Sequence, residues 1–102
     1  MKTDLKQPNF LKVYQVVKTI PSSKVVTYGQ IAKKLGLDPR MVGWALHANT
    51  NSDVPCHRVV NKVGRLAPNF TFDGWKEQKR RLMAEGVTFK DEMHVDLEKH
   101  LW

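Results

Sequence analysis

Apolar residues early in the chain recur at helical spacing. Phe10, Val13, Val16, Val17 and Ile20 share one face of a 3.6-residue repeat and Pro21 stops the pattern, so a first helix is predicted over residues 9–19 with that face in the core. After the Pro21-Ser22-Ser23 turn comes Val25-Val26-Thr27. Thr27 and Gln30 stand in capping-box relation, which predicts a second helix from Tyr28, burying Ile31, Ala32 and Leu35 and closed by Gly36. Asp38 can cap a third helix with Pro39 at its first position and Met41, Val42, Ala45 and Leu46 as its apolar stripe, running to about Ala48. Two short helices meeting at Gly36-Leu37 have the dimensions of a helix-turn-helix over about 27–48.

Asn49 to Asp53 is rich in turn formers and leads into Val54-Pro55-Cys56-His57-Arg58-Val59-Val60. The Val59-Val60 pair and the turn at Gly64 predict a short β-hairpin. A loop over 66–71 follows. Asp73 then caps a fourth helix through Trp75, Leu82 and Met83 to Glu85-Gly86, much of it basic from Lys76, Lys79, Arg80 and Arg81. The last segment carries Phe89, Val95, Leu97, Leu101 and Trp102 and is expected to pack back on the core. The predicted fold class is mainly α: a winged-helix-like helix-turn-helix domain with a short β-hairpin. A chain of 102 residues has room for one such domain around one modest core.

Composition narrows the partners. Seventeen Lys and Arg against ten Asp and Glu give +7 and a pI near 9.8, a surface that attracts polyanions such as nucleic acid. No segment approaches the roughly 18 apolar residues of a membrane span and residues 1–6 lack a signal-peptide core, so a cytoplasmic, DNA-associated location is expected. One cysteine forms no internal disulfide, and it and four histidines lack the paired spacings of zinc sites, so no metal is expected.

That cysteine carries the candidate chemistry. Pro55 restricts the backbone before Cys56, His57 offers a base and Arg58 a positive charge, a setting expected to favour the thiolate. The help matters, since a free thiol of pKa ~8.5 is only a few per cent ionised at neutral pH. On a strand Cys56 and His57 would point to opposite faces, which leaves a direct pair or a water bridge open. Glu85, at the end of the fourth helix, can orient His57 if that helix packs against the hairpin.

Thr27-Tyr28-Gly29-Gln30-Ile31-Ala32, Pro39-Arg40-Met41-Val42-Gly43, Pro55-Cys56-His57-Arg58-Val59-Val60 and Ala84-Glu85-Gly86 resemble, in order, the DNA-binding and active-site domain of the O6-alkylguanine-DNA alkyltransferases. The resemblance implies minor-groove binding of duplex DNA, flipping of the damaged guanine and irreversible alkyl transfer, by a monomer without a cofactor. It makes Cys56 the acceptor, deprotonated through a water by His57 with Glu85. Tyr28 would crowd the flipped nucleotide's phosphate and protonate guanine N3, Arg40 would fill the vacated stack, and Asn49 matches an active-site hinge. Arg40, Tyr28, Gly43, Arg58, Thr27 and Gln30 are the implied DNA-contacting set. The chain's length matches a sister group, the alkyltransferase-like proteins, which flag O6-alkylguanine for nucleotide excision repair and usually carry Trp where Cys56 stands. Residues 66–74 and Gln78 depart from the transferase pattern, which has a Tyr-Ser-Gly-Gly-like wall and often Lys at those places. Transferase and damage sensor therefore stand as the two readings, with an ordinary helix-turn-helix transcription factor behind them.

Overall fold

The computed structural model describes residues 7–70 and 74–102. Helix α1 (Pro8–Lys18) starts where Gln7 accepts hydrogen bonds from the Asn9 and Phe10 amides, and it buries Phe10, Val13, Tyr14 and Val17. Helix α2 (Tyr28–Leu35) opens on the predicted capping box between Thr27 and Gln30 and ends at Gly36, whose φ of 69° is the left-handed cap a glycine adopts freely. Helix α3 (Pro39–Ala48) is capped by Asp38 and buries Val42 and Ala45. Helix α4 (Trp75–Ala84) follows Gly74. The expected cap at Asp73 lies outside the described residues, as do Thr71 and Phe72.

The mainly helical class holds, but the hairpin does not. Strand β1 (Val26–Thr27) pairs in parallel with β2 (Val59–Val60), Val26 opposite Val59 and Thr27 opposite Val60. The Gly64 turn is real: Asn61 accepts from the Val63 and Arg65 amides, and a Cβ on Gly64 would lie 2.7 Å from the Val95 carbonyl oxygen. The chain leaving that turn pairs instead with the C-terminal segment, Arg65 opposite His94, with Leu66 and Val95 amides donating to Met93 and Gly64 carbonyls. The hairpin's second arm is thus claimed by residues 93–95.

Alternation along the short sheet divides the interior. Val26 and Val59 face a cluster built from α1, α2 and α3, while their neighbours Val25 and Val60 face a second cluster with Leu66, Leu82, Val87 and Val95. Burial on both faces is why these pairs read as continuous apolar runs. The C-terminal segment packs back as expected. Helix α5 (Leu97–His100) leads to Trp102, whose amide donates to the Val25 carbonyl at 2.9 Å.

Candidate functional site: a thiol cavity beside a helix-turn-helix

Pro55 is the pivot of the acceptor segment. Its φ of −78° and ψ of 68° make an inverse γ-turn in which the Cys56 amide donates to Val54 O at 2.8 Å, and proline's ring presets that φ. Cys56–Arg58 then form one 3₁₀ turn before β2, so the strand geometry expected for Cys56 and His57 is replaced by a tighter one. The turn brings Cys56 to the wall of a cavity of about 720 Å³, between α3, the loop after it and α4. That volume is within the range of small-molecule sites. Tyr28, Gly43, Asn49 and His57 share the lining.

Asn49 caps the end of α3, and its Nδ2 donates to Asn51 O at 2.9 Å and lies 3.4 Å from Cys56 Sγ. The electrostatics of Cys56 run against the sequence expectation. Burial pushes its thiol from 9.0 up to about 11, and the hydrogen bond from Asn49 offsets only part of that. Arg58 fails to help because its guanidinium is used elsewhere. Nε donates to Glu85 Oε1 at 3.0 Å, Nη2 to Glu85 Oε2 at 2.6 Å and Nη1 to Ile20 O at 2.8 Å. Arg58 is therefore a partly buried clamp joining the acceptor turn, the end of α4 and the segment after α1.

Glu85 is shared between Arg58 and His57, whose Nε2 lies 2.8 Å from Oε2. Burial alone would raise the Glu85 pKa; the hydrogen bonds from Arg58 and then His57 pull it down to about 2. An ionised carboxylate only accepts, so the His57 proton sits on Nε2 and Nδ1 carries the free lone pair. Burial also holds His57 below its ordinary 6.5, against the pull of Glu85, so the ring is neutral near pH 7. A neutral base oriented by a fixed anion is the arrangement needed to take a proton.

Tyr28 begins α2 at the cavity edge, and its hydroxyl makes no hydrogen bond among the described residues. Burial raises its pKa, with negative charge on Cys56 a second cause. Arg40 is exposed at the start of α3 and folded onto Asp38, Nη2 to Oδ2 at 3.2 Å, a surface pair that is readily released. Gly43 faces the cavity. Thr27 and Gln30 are occupied by the capping box, and Gln30 Nε2 also donates to the Trp102 carbonyl at 3.0 Å. The structure thus gathers Cys56, His57, Glu85, Tyr28, Asn49 and Gly43, and leaves Arg40 outside on the same helix face.

Three participants escaped the sequence. Gln78, noted only as a departure, is fully buried: its Oε1 accepts from the Ala67 amide at 2.7 Å while Nε2 donates to the His57 and Val59 carbonyls at 3.2 and 3.0 Å. It ties the acceptor turn to the cavity wall, and only tertiary packing reveals that. Arg81 lies over the Phe70 ring at 5.2 Å from its centroid, both at the cavity. Trp44 stands exposed on α3.

A likeness to known proteins runs through this geometry. The family described as 6-O-methylguanine DNA methyltransferase, DNA binding domain, matches residues 8–87. Alkyltransferase-like protein 1 of Schizosaccharomyces pombe is 38% identical over 100 residues, covering 91% of this chain and 93% of its own. The methylated-DNA–protein-cysteine methyltransferase of Methanocaldococcus jannaschii is 42% identical over 88 residues, and this chain spans 53% of its length. The crystal structure of S. pombe Atl1 in complex with damaged DNA containing O6-carboxymethylguanine superposes with a TM-score of 0.80 at 34% identity, over 100% of this chain and 96% of that one. No helix among the described residues is long and apolar enough to cross a membrane. The chain belongs to the family of 6-O-methylguanine DNA methyltransferase DNA-binding domains.

Proposed function

We propose that this protein repairs O6-alkylguanine: it binds duplex DNA from the minor groove, flips the lesion into the Cys56 cavity and transfers the alkyl group irreversibly to Cys56. The observation that carries this reading is one cavity holding a thiol 3.4 Å from the Asn49 amide nitrogen, next in sequence to a neutral His57 oriented by ionised Glu85. The thiol proton passes through a water to His57 Nδ1, and the imidazolium is stabilised by Glu85. The sulfur attacks the alkyl carbon, the carbon–O6 bond breaks, and guanine leaves as the neutral base with a proton at N3 supplied by Tyr28. A thioether does not reverse, so each molecule acts once and no cofactor is required. Extrusion costs a few kcal/mol of stacking and pairing, least where alkylation already weakens the pair, and Arg40 entering the gap offsets part of it.

A second reading is favoured by one feature, the Cys56 thiol held up to about 11. In it the cavity grips the lesion and nucleotide excision repair removes it. Intact-protein mass spectrometry after mixing with a duplex containing one O6-methylguanine separates the two. A gain of one methyl group, absent in Cys56→Ala, is the expected result. Tight lesion-selective binding without mass gain would refute transfer and leave the sensor.

A further inference from the structure

Helix α3 carries one exposed large side chain, Trp44, that the site described above does not use. Val42 and Ala45 are fully buried, and Arg40, Trp44 and His47 are exposed on the opposite side, where Gly43 and His47 reach the cavity. Trp44 is 59% exposed, and its ring meets no aromatic or cationic partner among the described residues. A large aromatic ring left in water on one helix face is a contact surface in search of a partner.

Neighbouring residues indicate which partner. Trp44 lies one helical turn after Arg40 and three residues before His47, which brings the three together on the surface. Gly43 weakens a helix interior, yet a Cβ there would meet nothing within 4 Å, so packing within the chain gives no reason for it. The room it leaves is on the outward side. Gly43 and His47 also line the cavity, so this face runs unbroken from the cavity mouth to Trp44. A duplex that delivers one base into the cavity has to lie across it. The +7 chain, with Arg40 one turn away on the same helix and Lys18 at the cavity wall, favours a polyanion there.

We propose that Trp44 is a second, aromatic DNA contact: its indole seats in the opened minor groove on the side of Arg40 away from the cavity, holding the groove wide while the base is out. Apolar wedges inserted from the minor groove serve this purpose in bent DNA. The inference rests on the DNA-binding reading above. It adds to that reading a contact whose energy is apolar and therefore insensitive to salt, unlike a phosphate contact.

The test is an anisotropy titration of a labelled duplex carrying one O6-methylguanine, with wild type, Trp44→Ala and Trp44→Phe at several salt concentrations. Trp44→Ala should bind at least tenfold more weakly at an unchanged salt slope and an unchanged urea midpoint, with Trp44→Phe recovering most of the loss. In parallel, saturating duplex should protect Trp44 from acrylamide quenching, read as the difference between wild type and Trp44→Phe. Wild-type affinity in Trp44→Ala, or a Trp44 still fully quenchable in the complex, overturns the inference alone; the second result would direct the ring to a protein partner. If wild type itself fails to bind the lesion duplex, the DNA reading falls and takes this one with it.

Discussion

Replacing Gln78 by leucine tests whether the acceptor turn is held by a single buried amide. Leucine keeps most of the volume, so the change isolates the three hydrogen bonds to Ala67 N, His57 O and Val59 O. The three partners are not equally stranded. Val59 is buried in the core, so its carbonyl loses a donor that water cannot replace, at about 1–3 kcal/mol. Ala67 and His57 are only half-buried, so water can reach them, and each loss there costs about 0.5–1 kcal/mol. Burying methyl groups in place of an amide returns part of this. A net loss of about 3 kcal/mol is expected, a large share of the ~5–15 kcal/mol that holds a domain together, and equivalent to roughly 10–20 °C in Tm.

Urea unfolding followed by circular dichroism measures it directly. Gln78→Glu should be worse than Gln78→Leu, because a carboxylate has no donor for the two carbonyls and is buried without a cation. A loss below about 1 kcal/mol in Gln78→Leu, with the denaturant slope unchanged, would refute the claim that these bonds fasten the turn.

Two further outcomes follow from the charges around Cys56. Because burial pushes its thiol up to about 11, a small alkylating reagent should label Cys56 more slowly than free cysteine near neutral pH, with a rate still rising above pH 9; faster labelling than the free thiol would contradict the raised pKa. Glu85, held at about 2 against an ordinary 4.5, contributes stability that is complete above pH 4.5 and lost as pH falls toward 2. At about 1.4 kcal/mol per pKa unit the drop corresponds to about 3 kcal/mol as an upper value. Glu85→Gln should be less stable at neutral pH but nearly flat over that acid range, and parallel acid losses in the two proteins would show that Glu85 is not the group involved.

Local signals in the sequence placed the helices because each carries its own punctuation: Thr27 with Gln30, Gly36, and Asp38 with Pro39 act within one turn of themselves. The Val59-Val60 pair had no such local determinant. An apolar pair says that both faces are covered, and the choice of Val26-Thr27 over the chain after Gly64 is made by tertiary packing. The same division runs through the site. Cys56, His57, Glu85 and Asn49 were legible as a motif, and they meet. The sign of the Cys56 shift was not legible, since Arg58 looks like a neighbour of the thiol in sequence and is spent on Glu85 in space. Ala45, read as part of the buried stripe of the third helix, is buried against α1, where Tyr14 donates to its carbonyl at 2.6 Å, whereas the exposure of Trp44 on the same helix had no local signal.

A thiol near 11 is compatible with an acceptor used once, provided the proton leaves only when the lesion is in place. At pH 7 a group of that pKa is ionised in roughly one molecule in ten thousand, so forming the thiolate costs about 5.5 kcal/mol relative to the thiol, which keeps the sulfur from casual alkylation. Transfer then requires a base that is neutral at rest and becomes a better base as charge develops. His57 meets the first condition by burial and the second through Glu85, whose charge stabilises the imidazolium. Arg58 has a distinct part in this division: by holding Glu85 ionised it keeps the carboxylate an orienting acceptor and leaves Nδ1 of His57 as the proton's destination. Under the proposed transfer reading, the paired shifts, thiol up and carboxylate down, would belong to one device in which Cys56 loses its proton only when an electrophile is in the cavity.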